Sequence, residues 1–182
     1  MVNIVDEVIQ ILESRGGEAY LGEPLSQLDH ALQTACLARK SGAGDSLVIA
    51  ALLHDIGHLL TPKSTPGARQ FDRRHERIGA AWLDRWLRFD VTEPIRLHVT
   101  AKRYLCRVDR KYVRELSAAS IRSLELQGGP LTQAEVVDFE NNPFYNAALQ
   151  LRRWDDQAKI PHIEVGTILQ YRDAILSCVK PS

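Results

Sequence analysis

The sequence predicts an all-α, single-domain helical bundle over residues 1–182, and three observations carry that expectation. Apolar residues recur at helical spacing in nearly every segment, no stretch alternates apolar with polar residues as a half-buried strand would, and Gly/Pro clusters separate the segments. With 182 residues, 45% hydrophobic and 25% charged, the chain is long enough to bury one full core.

The elements follow in order. Val5, Val8, Ile9 and Leu12 mark a first helix that Gly16-Gly17 stops. A second starts near Pro24 and runs through Leu28, Ala31, Leu32 and Ala35 to about Lys40. A third spans Asp45 to Leu60, and Thr61 to Gln70, with Pro62, Pro66 and Gly67, is the longest loop. Helices then fit Asp72 to Leu87, Glu93 to Val108, Arg110 to Leu116, and a short piece from Ser120 to Leu126. Gly128-Gly129-Pro130 breaks the chain, and Thr132 with Glu135 forms a capping box for the next helix. Pro143 opens a further helix to about Lys159, and the last covers Val165 to Cys178.

Composition excludes several classes. Lys plus Arg and Asp plus Glu both number 23, a balance that argues against nucleic acid or an anionic membrane as partner. No apolar run reaches the roughly 20 residues of a membrane span, and Met1 to Glu7 reads as an acidic amphipathic start, not a signal peptide. Cys36, Cys106 and Cys178, odd in number and far apart, read as reduced packing residues. The expectation is a cytoplasmic enzyme of a small-molecule substrate, monomeric by default.

The chemistry gathers around Leu52-Leu53-His54-Asp55-Ile56-Gly57-His58. A carboxylate at the end of an apolar helix needs a positive partner, and a neutral imidazole beside it is a good metal ligand. His54 and His58, at i and i+4, are expected on one face. His30, His75 and His98 also fall on the inward stripes of separate helices, so five of six histidines point to the core; only His162, in a loop, does not. Taken singly each is an ordinary hydrogen-bonded core histidine; together they point to one site. On the late helix Asp155 borders the apolar stripe of Ala147, Leu151, Trp154 and Ala158, whereas Asp156 is expected in solvent. Arg152 and Lys159 flank Asp155, either as a surface salt-bridge ladder or as cations holding an anion. Histidine plus carboxylate without thiolate suits iron, manganese or zinc. His30, His54, Asp55 and Asp155 make one ordinary site; His75 and His98 allow a second, with Asp55 shared.

His30…His54-Asp55…Asp155 resembles the signature of the HD-domain superfamily, most of whose members are metal-dependent phosphohydrolases. The fuller pattern includes Tyr20-Leu21-Gly22-Glu23, Gln27-Leu28-Asp29-His30, His54-Asp55-Ile56-Gly57-His58, His75-Glu76-Arg77-Ile78-Gly79-Ala80, Leu97-His98-Val99-Thr100-Ala101-Lys102, Ser123-Leu124-Glu125-Leu126-Gln127-Gly128-Gly129-Pro130 and Leu151-Arg152-Arg153-Trp154-Asp155. Over about residues 15 to 160 it resembles the HD-domain mixed-valent diiron oxygenases of organophosphonate catabolism, relatives of myo-inositol oxygenase. The resemblance implies an HD-type bundle with two irons, Fe(II)/Fe(III), and dioxygen as co-substrate. One iron would be held by His30, His54, Asp55 and Asp155, the other by Asp55, His75 and His98. It further implies Tyr20 as a ligand of the second iron before substrate arrives, Glu23 as its partner in an induced-fit gate, and His58, Lys102, Ser120, Ser123, Gln127 and Arg152 as substrate contacts.

The implied reaction is oxidative C–P cleavage of a (R)-1-hydroxy-2-aminoethylphosphonate-type substrate, giving phosphate with glycine or glycine betaine. The substituent at C2 stays open between a free amine, marginally preferred, a trimethylammonium and none. Glu23 and Asp29 could meet a cation there, and Tyr20, Tyr104 and Trp154 could cage a quaternary one. The rival expectations are an HD phosphohydrolase of a nucleotide or phosphate ester and a non-catalytic HD module.

Overall fold

The structure is a computed structural model, which describes residues 3–20, 23–60 and 74–181. Eleven α-helices and one 3-10 turn account for the order of the described residues, and the only β pairing among them is two isolated bridges, Ala19 with Ser26 and Leu87 with Val179. The all-α expectation holds. Residues 61–70, expected as a loop, and the start of the helix expected at Asp72 lie outside the described residues.

Helix α1 (Ile4–Arg15) is capped by the Asn3 side chain and buries Ile4, Val5, Val8, Ile9 and Leu12. Helix α2 (Gln27–Lys40) starts later than Pro24 because Ser26 and Asp29 form a reciprocal capping box that fixes its first turn. Between them the chain doubles back over α2: Tyr20 N–H donates to Leu25 O, and Gln27 N–H to Glu18 O.

The segment expected as one helix from Asp45 to Leu60 is two, α3 (Asp45–Leu53) and α4 (Ile56–Leu60). The break falls at His54-Asp55, where the His58 N–H closes a tight turn onto the Asp55 carbonyl. All of Val48 to Leu53 is buried, so α3 is the central rod of the main core.

Helix α5 (His75–Leu83) lies against α4 with two glycines in contact: a Cβ on Gly57 would sit 2.0 Å from the His75 carbonyl oxygen. Helix α6 (Phe89–Val108) begins before Pro94, which sits in its second turn, and buried Val91 and Ile95 on either side hold the turn in place. Then come α7 (Arg110–Glu115), α8 (Ala118–Leu126, capped by Ser117), α9 (Gln133–Glu140, with the expected Thr132/Glu135 box) and α10 (Tyr145–Gln157). The 3-10 turn Ile168–Tyr171 leads into α11 (Arg172–Ser177), shorter than the expected terminal helix.

Helices α2, α3, α5, α6 and α10 pack on one another, with α4 on α5. A second, smaller apolar cluster of Tyr104, Leu105, Tyr112, Leu131, Phe139 and Ala148 joins α6, α9 and α10. No described helix is long and apolar enough to cross a membrane.

Candidate metal centre

The interruption after α3 is what makes the site. It leaves His54 at the C-cap of α3 and turns Asp55 sideways, into the space where α2, α5, α6 and α10 converge. The two carboxylate oxygens of Asp55 then serve different neighbours. Oδ2 lies 3.4 Å from His54 Nε2 and 3.9 Å from His30 Nε2. Oδ1 lies 3.1 Å from His75 Nε2, 3.7 Å from His98 Nε2 and 3.9 Å from His58 Nε2. Around Oδ2, His30 and His54 bring their Nε2 atoms within 3.2 Å, and Asp155 Oδ1 is 3.3 Å from His30 Nε2. Around Oδ1, the Nε2 atoms of His75 and His98 are 3.1 Å apart.

Proton accounting shows what belongs between them. The Nδ1 atoms of His30, His54 and His98 face the carbonyl oxygens of Ala158, Ala51 and Ile95 at 2.8, 2.8 and 2.7 Å. A carbonyl only accepts, so each Nδ1 carries the proton and each Nε2 presents a lone pair. Lone pairs facing one another and a carboxylate repel unless a cation lies between them. Asp155 Oδ1 is likewise buried with no hydrogen-bond partner among the described residues. Donors about 2.1 Å from a shared ion lie about 3.0 to 3.4 Å apart in octahedral or tetrahedral geometry. The closest pairs match that spacing, and the residues fit first-row metal ions.

Electrostatics agree. Burial pushes the His54 and His98 imidazoles below the usual range, and for His98 the neighbouring His75 and His54 add to this, favouring the neutral, ligating form. Burial would raise Asp55, but His54, His75 and His58 overcome it and hold the carboxyl well below its usual value. Asp155 behaves the same way, with Arg152 foremost against burial. Both carboxyls are therefore held in the ionised form that a metal ion would need.

The other expected residues take distinct places. The Tyr20 ring stacks on His30 at 4.0 Å, and burial, then Asp55 and Asp155, raise its hydroxyl well above the usual phenol value. Glu23 accepts from Ser117 Oγ at 2.6 Å. Lys102 is 2% exposed and donates to Ser123 Oγ at 2.7 Å. Ser120 Oγ accepts from Lys159 Nζ at 2.9 Å. Gln127 caps α8, with its Oε1 buried and lacking a hydrogen-bond partner among the described residues. Arg152 is buried and donates to Asp155 Oδ2 at 2.7 Å.

Three expectations are corrected. Because the helix breaks at Asp55, His54 and His58 do not share a face: His54 joins His30 and Asp155, while His58 stacks on His75 at 4.0 Å. Asp156 is not a solvated residue, since Arg152 and Lys159 reach around α10 to it and Tyr112 Oη donates to its Oδ2 at 2.5 Å. The residues offered for a C2 cation are mostly occupied elsewhere. Asp29 caps α2, Tyr104 hydrogen-bonds Glu140 and Tyr145 in the smaller core, and Trp154 packs on the main core.

Sequence reasoning missed Ser117, Tyr112 and Glu76. Ser117 was legible as a Ser before a helix, and Glu76, whose Oε2 stands 3.8 Å from His75 Nδ1, as an acid beside a ligand in a first helical turn. Nothing local marks Tyr112.

Comparison with known proteins agrees with this geometry. Residues 28–125 match the HD domain family. The chain is 44% identical over 180 residues to a protein of Gimesia maris named hydroxymethylphosphonate dioxygenase, covering 98% of this chain and 89% of that one. It is 40% identical over 163 residues to the [1-hydroxy-2-(trimethylamino)ethyl]phosphonate dioxygenase (glycine-betaine-forming) of Leisingera caerulea, covering 89% and 83%. An uncharacterized protein of Acanthamoeba polyphaga mimivirus is 33% identical over 186 residues. The chain belongs to the HD-domain family, in the branch that holds these phosphonate dioxygenases.

Proposed function

We propose that this protein is an oxygen-dependent enzyme that cleaves the C–P bond of a small 1-hydroxyphosphonate at a site for two iron ions. The observation that carries the proposal is the division of Asp55, with Oδ2 toward His30 and His54 and Oδ1 toward His75 and His98. A hydrolase working through one ion would have no use for the second pair of histidines. Both named relatives, identical at 44% and 40% of aligned positions, are phosphonate dioxygenases, which supports the same chemistry here.

His30, His54, Asp55 and Asp155 would hold one iron, and Asp55, His75 and His98 the other. Bound there, the pair would bind dioxygen and pass to it the electrons that C1 gives up on oxidation. Oxidation answers a chemical need, because plain hydrolysis of a C–P bond would expel an unstabilised carbanion. The protein's own groups bind and orient. Lys102, Ser120 and Ser123 would offer an ammonium and two hydroxyls to the phosphonate oxygens, and the family resemblance adds Gln127 and His58 to these contacts. Tyr20, packed flat on His30, covers the first ligand group, and Glu23, tied to Ser117, fixes the turn that carries it.

For the substrate we favour hydroxymethylphosphonate over the aminoethyl compounds. Of the residues offered for a C2 cation, Asp29, Tyr104 and Trp154 are engaged in a cap and in cores, Tyr20 stacks on His30 and Glu23 accepts from Ser117 Oγ. One dioxygen would be consumed per formate and phosphate released. The test is side-by-side turnover of hydroxymethylphosphonate, (R)-1-hydroxy-2-aminoethylphosphonate and its trimethylammonium analogue, with oxygen uptake and phosphate both read. Phosphate release that persists without oxygen would replace the oxygenase reading with the hydrolytic one. Faster turnover of either ammonium substrate would overturn the substrate assignment alone.

A further inference from the structure

Three of the candidate ligand imidazoles rest their Nδ1 proton on a backbone carbonyl, and two of them find that carbonyl close by in the chain. His54 uses Ala51 and His98 uses Ile95, each three residues earlier. Those acceptors come with α3 and α6 themselves. His30 differs, because its Nδ1 donates at 2.8 Å to the carbonyl of Ala158, 128 residues away at the end of α10. The orientation of that ring depends on where another element leaves its chain.

Residues 158–160 lie past α10, in no helix. Among the described residues, the one backbone–backbone hydrogen bond they make runs from the Ala158 N–H to the Trp154 carbonyl. Besides His30 itself, what pins the segment to α2 is Gln33, one helical turn after His30 and 4% exposed. Its Nε2 donates to the Ile160 carbonyl at 2.8 Å, and its Oε1 accepts from the Ile160 N–H at 3.1 Å. A side-chain amide paired with both backbone groups of one residue fixes that residue in distance and in rotation. Ile160 is 54% exposed, so its own side chain does little to anchor it. His30 and Gln33, neighbours on one face of α2, thus grip the same short segment two residues apart.

We propose that Gln33 is a positioning residue for the first ion. Its clamp on Ile160 holds the Ala158 carbonyl in place, and that carbonyl keeps His30 in the orientation and tautomer that present Nε2 to the ion. A metal-bound histidine needs its other ring proton held, because a free ring rotates and its ligating nitrogen is less basic. The contrast with His54 and His98 makes the role selective: loosening Ile160 disturbs His30 and leaves the other two rings alone. The proposal rests on the two-ion reading above.

The test variant is Gln33→Met, which keeps the length and volume of the side chain and loses both hydrogen bonds. Ile160, in exposed chain, can turn its backbone groups to water, so the fold should persist. Ile175→Val, which removes a buried methylene on α11, is the control for lower stability alone. On the zinc-loaded protein, heteronuclear NMR should show the Nδ1 protons of His30, His54 and His98. In Gln33→Met that of His30 should exchange with solvent about tenfold faster and the other two should not change. On the iron-loaded protein, one ion should pass to a chelator about tenfold faster, the low end for a group that orients a ligand, while the other leaves at the wild-type rate. Ile175→Val should change none of these. The proposal is overturned if the His30 proton is no more labile than in the wild type, or if all three protons and both ions loosen together. If the wild-type chain holds a single ion yet Gln33→Met frees the His30 proton alone, the two-iron reading falls and the role of Gln33 stands.

Discussion

Replacing Gly57 by alanine tests whether the contact between α4 and α5 sets the second ligand group. The added Cβ would lie 2.0 Å from the His75 carbonyl oxygen, 2.8 Å from its carbonyl carbon and 3.0 Å from the Gly79 nitrogen. All three are backbone atoms, so no rotamer change can relieve the clash, and α5 must move away from α4 by about 1 Å. His75 Nε2 now sits 3.1 Å from both Asp55 Oδ1 and His98 Nε2. Such a shift carries it beyond the about 3.0–3.4 Å at which adjacent ligands share an ion. His30, His54 and Asp155 come from α2, α3 and α10 and should keep their spacing. Overpacking of this kind costs about 1–3 kcal/mol, and rigid backbone on the far side places this case at the upper end. For a chain of this length that lowers Tm by about 5–10 °C. Metal analysis should show stoichiometry falling from two ions per chain toward one, and calorimetry the drop in Tm. Gly17→Ala, where a Cβ meets nothing within 4 Å, is the control and should change neither. Two retained ions with an unchanged Tm in Gly57→Ala would refute the reasoning.

Further outcomes follow from the same geometry. His75→Ala and His98→Ala should each abolish oxygen-dependent phosphate release while the protein still binds one ion, as metal titration would show. Removing metal with a chelator should lower Tm, because ions present at about a thousand times their Kd stabilise by about 4 kcal/mol; an unchanged Tm would mean that nothing is held there. Asp90 is a pH probe far from the centre. Burial pushes its carboxyl up, but hydrogen bonds from Ser46 and Arg88 outweigh that and hold it below the usual value of 3.8. Its contribution is present above that value and fades as pH falls through the lower, folded one. Asp90 is largely exposed, so Asp90→Asn should cost under about 1 kcal/mol near neutrality and flatten the acid limb of a Tm–pH curve.

The sequence by itself determined the helical content, most helix positions and the list of metal-ligand candidates. Those rest on local rules: apolar periodicity, caps such as Thr132 with Glu135, and ligand types on inward stripes. His30, Asp55, His75, His98 and Asp155 could be named because a buried polar residue stands out against its own helix. What tertiary structure alone decided was direction. A continuous apolar pattern through Asp45 to Leu60 hides a break at His54-Asp55, because periodicity carries on across it and Gly57, the one local residue that disfavours helix, does not say where the turn falls. The break gives the two oxygens of Asp55 different neighbours and sends His54 and His58 to different groups. Asp156 escaped for a related reason: helical phase places a Cβ, but long side chains such as Arg152 and Lys159 bridge phases, and Tyr112 reaches it from another helix. Local patterns therefore name the candidate ligands, and only packing between helices decides which of them face one another.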